Sequence, residues 1–206
     1  MKNKKSNRRT LLLKEVVIIA GANGSGKTTF AKSCEKKYPF EFVNADEIAK
    51  EIDPKDIERT RVTAGKLFFK KISDLLKNDQ NFIIESTLSG RTLSVMIEEM
   101  KERGYTITLI YTFLESPVTC IERIKERVLK GGHHVPEEDV VRRFYRSKMN
   151  FWNLYKELVD KWHLIYNSEQ QFIEFAFGRK EIYTVNDEKL FESFIRDINK
   201  EKDDEG

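Results

Sequence analysis

The stretch Gly21-Ala22-Asn23-Gly24-Ser25-Gly26-Lys27-Thr28 constrains this chain more than any other. It reads G-x-x-x-x-G-K-T and follows directly on the apolar run Val16-Val17-Ile18-Ile19-Ala20. That run has the length and β-branched content of a buried parallel strand, so the order is strand, glycine loop, helix. A phosphate chain wrapped by backbone N–H groups requires glycines, which let the main chain come close at the φ values needed. Gly21, Gly24 and Gly26 supply that freedom, Lys27 is placed for the outer phosphates, and Thr28 offers its hydroxyl to Mg²⁺. Ala22, Asn23, Ser25 and Thr29 complete the nucleotide-binding loop. At average residue usage such an octet arises by chance in about one chain of this length in a hundred, which disfavours a turn that binds nothing.

The 206 residues suit a single α/β domain, read here as residues 11–200, with a disordered basic head over 1–10 and a frayed tail over 201–206. With 37 basic against 34 acidic residues and a formal charge of +3, the chain lacks the one-signed surface of a dedicated nucleic-acid binder. Lys14-Glu15 splits the apolar residues near the start, so they do not read as a signal peptide, and no run approaches the length of a membrane span. Cys34 and Cys120 make no disulfide framework, and the expected compartment is the cytoplasm.

Along the chain, a helix from Thr28 to about Lys37 is closed by Pro39, and Glu41 to Asn44 reads as a second strand. Asn44, Asp46 and Glu47 fall at its carboxyl end, on the rim where open α/β sheets bind ligands; Asn44 or Asp46 could equally cap the next helix. Asp53-Pro54 opens a helical stretch with a core stripe at Val62, Leu67, Phe68, Ile72 and Leu75 or Leu76. Phe82-Ile83-Ile84 is a third strand ending in Glu85-Ser86-Thr87, a second polar cluster at the rim, followed by a helix near Arg91 to Arg103. Tyr105 to Leu114 is a fourth strand, Ser116-Pro117 starts a helix bearing Arg123 and Arg127, and Gly131-Gly132 links it to a helix bearing Arg142, Arg143 and Arg146. Two arginine-bearing helices about a double glycine describe a movable lid over residues 123–146.

The adjacent His133 and His134 lack the company a zinc site needs, and Phe144, Phe151, Trp152 and Tyr155 read as core. Trp162 to Tyr166 is a fifth strand, and a hairpin about Gly178-Arg179-Lys180 precedes a closing helix from Asp187 to Asn199. The expected architecture is a three-layer α/β fold of P-loop NTPase and nucleotide-kinase type. It has a mostly parallel sheet of about five strands, a helical lid, and a C-terminal hairpin plus helix.

These parts meet the needs of phosphoryl transfer: a phosphate cradle, a divalent ion, charge stabilisation and a base. Lys27 and the loop amides hold ATP, and Thr28 holds Mg²⁺. Asp46 accepts the proton of an acceptor hydroxyl, and Arg127 with Arg142 or Arg143 neutralises phosphoryl oxygens. Glu85 either holds Mg²⁺ through water or hydrogen-bonds a substrate hydroxyl. Two other readings are open: a kinase for another metabolite or a nucleic-acid end, and a non-catalytic nucleotide-binding regulatory module.

Ile18-Ile19-Ala20-Gly21, Phe42-Val43-Asn44-Ala45-Asp46-Glu47-Ile48 and Phe82-Ile83-Ile84-Glu85-Ser86-Thr87-Leu88-Ser89 carry a family resemblance. They are joined in order by Arg127 ahead of Gly131-Gly132-His133, Val135-Pro136, Arg143-Phe144, Arg146-Ser147 and Tyr166-Asn167-Ser168. Together they resemble the zeta-toxin family of P-loop kinases over about residues 15 to 170, and its chromosomal branch more than the plasmid toxins. The resemblance implies ATP-dependent phosphorylation of a sugar hydroxyl on a UDP-N-acetylamino sugar, with an antitoxin as partner. By position it implies Asp46 as base, Lys27 and Thr28 as ATP and Mg²⁺ ligands, and Arg127 and Arg143 as phosphate-binding arginines. Glu85 and Thr87 match its sugar-site residues, and Asn44 and Arg91 complete the expected acceptor site. The lid differs from that of the plasmid toxins in length and sequence.

Overall fold

The computed structural model describes residues 13–37, 39–168 and 171–204, with residues 199–204 given by backbone alone. The head expected to be disordered, residues 1–10, lies outside the described residues. Seven strands, β1 (Glu15–Ala20), β2 (Glu41–Asn44), β3 (Phe82–Ser86), β4 (Thr106–Phe113), β5 (Lys161–Asn167), β6 (Phe172–Arg179) and β7 (Ile182–Val185), form one sheet. Their order is β2-β3-β1-β4-β5-β6-β7. The first five are mutually parallel, and the expected hairpin, β6 with β7, continues the sheet antiparallel from β5. Going from β1 the chain moves to one side for β2 and β3 and to the other for β4. The switch point therefore falls at the carboxyl end of β1, where such sheets bind ligands.

Side chains alternate across the pleat, so one strand feeds two cores. Ile18, Ala20, Ile84 and Leu109 enter the main core, while Ile19 and Ile83 meet Ala31 of helix α1 (Lys27–Glu35) on the opposite face. Burial on both faces explains the unbroken apolar runs of β1 and β3. The main core is closed by α3 (Ile57–Lys77), α4 (Thr92–Glu102), α5 (Pro117–Leu129), α6 (Glu137–Asn150) and α8 (Glu188–Asp204). No helix among the described residues is long and apolar enough to cross a membrane.

Two local expectations change. Asp53-Pro54 does not begin a helix: Asp53 ends α2 (Ala45–Ile52), Pro54 lies in the bend, and the Asp56 carboxylate caps α3 by accepting from Arg59 N at 3.1 Å. The buried stripe of α3 is Thr60, Ala64, Phe68, Ile72, Leu75 and Leu76, leaving Val62 and Leu67 exposed. Val62 stands two residues from Ala64, about 200° around the helix, and so faces water. Ser116 caps α5 with Pro117 in the first turn, as the dipeptide implies.

Helix α6 passes into a single π turn over Phe151–Tyr155 and ends through the short α7 (Lys156–Leu158). Phe144, Phe151 and Tyr155 are buried and Trp152 is half-buried, in line with the core reading. Phe194 of α8 sits among Tyr111, Phe113, Phe151 and Phe175 with ring centroids 5.4–6.2 Å apart. Inside this aromatic nest lies a cation. Lys148 is 1% exposed, pairs with Asp197 at 2.6 Å, and lies 4.8–5.3 Å from the ring centroids of Phe113, Phe194 and Phe144. It ties α6 to α8, and removing one partner of so buried a pair leaves the other charge stranded. Lys148→Ala is expected to lower the unfolding free energy by about 3 kcal/mol in urea titration, whereas an exposed lysine would cost under about 0.5 kcal/mol.

Candidate active site

The glycine loop leaves β1 at Ala20 and delivers Lys27 as the first residue of α1. Gly26 caps the helix with φ +88°, and a Cβ there would lie 2.0 Å from Asn167 Nδ2, so only glycine fits. The close neighbour is functional to the fold: Asn167 Nδ2 donates to Ser25 O at 2.8 Å. From β4, Thr112 Oγ1 lies 2.7 Å from Ser25 Oγ and donates to Ala20 O at 3.0 Å. The ends of β4 and β5 thus set the loop's shape. No side chain caps α1 and no acidic residue stands in its first turn, which leaves the positive helix end to an anion.

Glu85, at the end of β3, pairs in register with Ile19 and Asn44 of the neighbouring strands and so points to the α1 face. Thr28 Oγ1 donates to Glu85 Oε1 at 2.8 Å and Asn44 Nδ2 to Oε2 at 2.8 Å, with Lys27 Nζ 3.8 Å from Oε1. Burial pushes the Glu85 carboxyl above its ordinary value, outweighing Lys27 and the two hydrogen bonds, and the nearby charge of Asp46 adds to the rise. Asn44 is the cap of α2, its Oδ1 accepting from Asp46 N at 2.7 Å and Glu47 N at 3.3 Å. The capping role thus falls to Asn44, and the Asp46 carboxylate is exposed to the cavity beside it.

Two cavities meet at Lys27. One, of about 510 Å³, is lined by Gly24, Gly26, Lys27, Thr28, Thr29, Arg123, Arg127 and Asn167. The other, of about 470 Å³, is lined by Asn23, Asn44, Asp46, Glu85 and Thr87, and by Arg61, Arg142, Arg143 and Arg146. The two arginines expected to act together are therefore divided, with Arg127 in the first cavity and Arg143 in the second. Arg143 Nη1 donates to Asn23 Oδ1 at 3.2 Å, which brings it against the glycine loop. Gly21, Ala22 and Ser25 are buried and shape the loop without lining either space. Arg91 stands exposed at the start of α4 and lines neither cavity.

The segment after β3 is held under tension. Leu88 is buried with φ +52°, an uncommon conformation for a bulky side chain. Ser147 Oγ donates to Thr87 O, Asn150 Nδ2 to Leu88 O at 2.7 Å, and Tyr155 Oη to Gly90 O at 2.8 Å. The π turn widens the helix between Asn150 and Tyr155, and both of those residues clamp this loop beside Glu85.

The double glycine serves close approach. A Cβ on Gly132 would lie 2.5 Å from Arg127 Cγ, and Arg127 Nη2 donates to His133 O at 2.7 Å. The turn folds back on α5, while α5 roots Cys120 and Ile124 and α6 roots Val140 and Phe144 in the core. Arg61, Asn167 and Ser147 had no reading as site residues from sequence. Asn167-Ser168 stood in a recognisable dipeptide, but nothing near Arg61 in the chain marks it.

Residues 16–147 match the AAA_33 family profile, described as an AAA domain. An uncharacterized protein of Haemophilus influenzae is 30% identical over 130 residues, which is 63% of this chain and 92% of that protein. A cytidylate kinase of Saccharolobus islandicus is 29% identical over 84 residues, 36% of this chain and 44% of the kinase. Among solved structures, the AvrRxo1-ORF1:-ORF2 complex with ATP superimposes with a TM-score of 0.71 and 14% identity, over 88% of this chain and 63% of that one. A structure of the PezAT chromosomal toxin–antitoxin system of Streptococcus pneumoniae gives 0.59 and 12%, over 93% and 88%. At such identities the structural likeness is one of fold, that of a P-loop kinase-like α/β protein.

Because the Glu85 carboxyl titrates above its ordinary value of 4.5, its burial costs stability as pH rises from about 4.5 through the folded value, and nothing below. Glu85→Gln is expected to melt above the wild type at pH 8 and level with it near pH 4.5. A variant melting lower at pH 8 would contradict the dominance of burial over the Lys27, Thr28 and Asn44 contacts.

Proposed function

The chain belongs to the AAA_33 family of AAA domains, and from that premise we propose that it is an ATP-dependent small-molecule kinase acting on a sugar hydroxyl of a UDP-N-acetylamino sugar. The observation that carries the reading is the pair of cavities sharing Lys27: one beside the glycine loop and helix end, the other beside Asp46 and Glu85. A donor and an acceptor in these two spaces would face each other across the Lys27 ammonium, the arrangement that positioning-driven phosphoryl transfer requires.

In this reading the loop amides from Gly21 to Thr29 and the Lys27 ammonium bind the ATP phosphates. Asp46 takes the proton of the acceptor hydroxyl, and Asn44, Glu85 and Thr87 orient the sugar. Arg143 and Arg127 approach the transferred group from opposite cavities. The Thr28 hydroxyl and Glu85 carboxylate, 2.8 Å apart, are hard oxygen donors that fit Mg²⁺, which keeps most of its shell as water and phosphate oxygens. Among the described residues no group of three or more His, Cys, Asp or Glu forms a closed metal cage. When bound, Mg²⁺ supplies neutralisation of phosphate charge. Closure of the lid, expected over residues 123–146, would fall to the turn between α5 and α6, since both helices are rooted in the core.

The sugar acceptor, an antitoxin partner and a cytoplasmic setting draw on the zeta-toxin resemblance and on the fold shared with PezAT. The cytidylate kinase likeness favours a second reading, in which the acceptor is a nucleoside monophosphate. The two differ in chemistry: a hydroxyl needs a base, whereas a phosphate oxygen arrives already ionised.

With ATP, Mg²⁺ and a panel of UDP-N-acetylamino sugars, the wild type is expected to form a phosphosugar. Asp46→Asn should lower kcat by roughly 100-fold or more with ATP affinity retained. Phosphorylation of CMP but of no sugar, with Asp46→Asn nearly as active, would transfer the assignment to the second reading.

A further inference from the structure

Arg61, on α3, lies in no motif of the sequence. It lines the acceptor cavity together with Arg142, Arg143 and Arg146 of α6, and with Lys27, against the carboxylates of Asp46 and Glu85 alone. Five cations face two anions there. Behind the cavity wall, the carboxylate of Asp139 gathers three of the arginines: Oδ1 accepts from Arg142, Oδ2 accepts from Arg143 Nη2 at 2.8 Å, and Arg61 Nη1 stands 3.9 Å from the same Oδ2. Arg61 Nη1 also meets Glu58 at 2.8 Å, and Glu58 in turn lies 3.4 Å from His133. Arg146 has no acidic partner among the described residues. The guanidiniums press on one another: the Arg143 group is held below its ordinary value by burial and then by Arg61.

Asp139 and Glu58 cannot saturate such a set. Each guanidinium has five N–H donors, and an exposed pair such as Arg61–Glu58 is worth little and is readily given up. A planar fork matches a phosphate with two parallel hydrogen bonds, which is the use for which arginine is preferred over lysine. Resting on the kinase reading above, we propose that Arg61 is a specificity-determining residue that binds the phosphate or diphosphate of the acceptor. It acts jointly with Arg142 and Arg146, and Asp139 holds the guanidiniums of Arg61 and Arg142 in place. The subsite selects an acceptor that already carries phosphate over a neutral sugar, and it is built from two elements, α3 and α6, that meet across the cavity.

The test uses the full chain with its glycine loop filled by a non-hydrolysable ATP analogue and Mg²⁺, so that added anion reports the second cavity. Inorganic pyrophosphate titrated calorimetrically is expected to bind the wild type and to lose about tenfold or more in affinity in Arg61→Ala, with Arg61→Lys recovering only part. In turnover, KM for UDP-N-acetylglucosamine should rise by about the same factor while kcat and the KM for ATP stay within about twofold. Absence of pyrophosphate binding to the wild type, or equal affinity in Arg61→Ala, overturns the subsite. If sugars are phosphorylated with an unchanged KM in Arg61→Ala, the kinase reading stands and this inference falls. If no sugar is phosphorylated while pyrophosphate affinity still drops in Arg61→Ala, the subsite stands and the sugar assignment falls.

Discussion

The arrangement depends on one buried carboxylate. Glu85 is 5% exposed and receives Thr28 from α1 and Asn44 from the end of β2 on its two oxygens, with Lys27 close by. Three segments distant in sequence are thereby held in one geometry, and all three carry groups to which the proposed chemistry assigns roles. The cost is desolvation, which pushes the Glu85 carboxyl above its ordinary value. A buried acid kept against that cost is the kind of group found at functional sites, where stability is given up for a placed charge.

Around this carboxylate the fold separates two tasks. The β4 and β5 ends brace the glycine loop through Thr112 and Asn167, giving a rigid cradle on one side of Lys27. On the other side, α2 and the clamped loop after β3 face the arginines of α3 and α6. Asn44 has a double part, capping α2 with its oxygen while its amide donates to Glu85, so Asp46 is left with a carboxylate that faces the second cavity. The strained Leu88 and the π turn of α6 belong to the same frame, since Ser147, Asn150 and Tyr155 fasten the loop that carries Thr87.

What could be read in the chain were the parts whose neighbours in space are neighbours in sequence. The glycine loop, the Asn44-Ala45-Asp46 step and Glu85 each follow an apolar strand directly, and strand ends share a rim whatever the details of packing. The five parallel strands and the hairpin also followed from runs and turns, whereas their order in the sheet came only with the fold. Arg61 escaped because only the packing of α3 against α2 and the reach of α6 bring it to Asp139. Arg91, expected in the acceptor site, lies exposed at the start of α4. Val62 and Leu67 misled because α3 carries apolar residues on more than one face. Arg127 and Arg143 looked alike in sequence, and the folded-back turn at Gly132 assigns them to different cavities.

The proposed division of a donor space from an acceptor space by Lys27 requires that the two be filled together. Calorimetric titration of a UDP-N-acetylamino sugar into protein saturated with Mg²⁺ and a non-hydrolysable ATP analogue tests this most directly. One further equivalent is expected to bind, with the analogue retained. Displacement of the analogue by the sugar, or no binding until the analogue is removed, would contradict it.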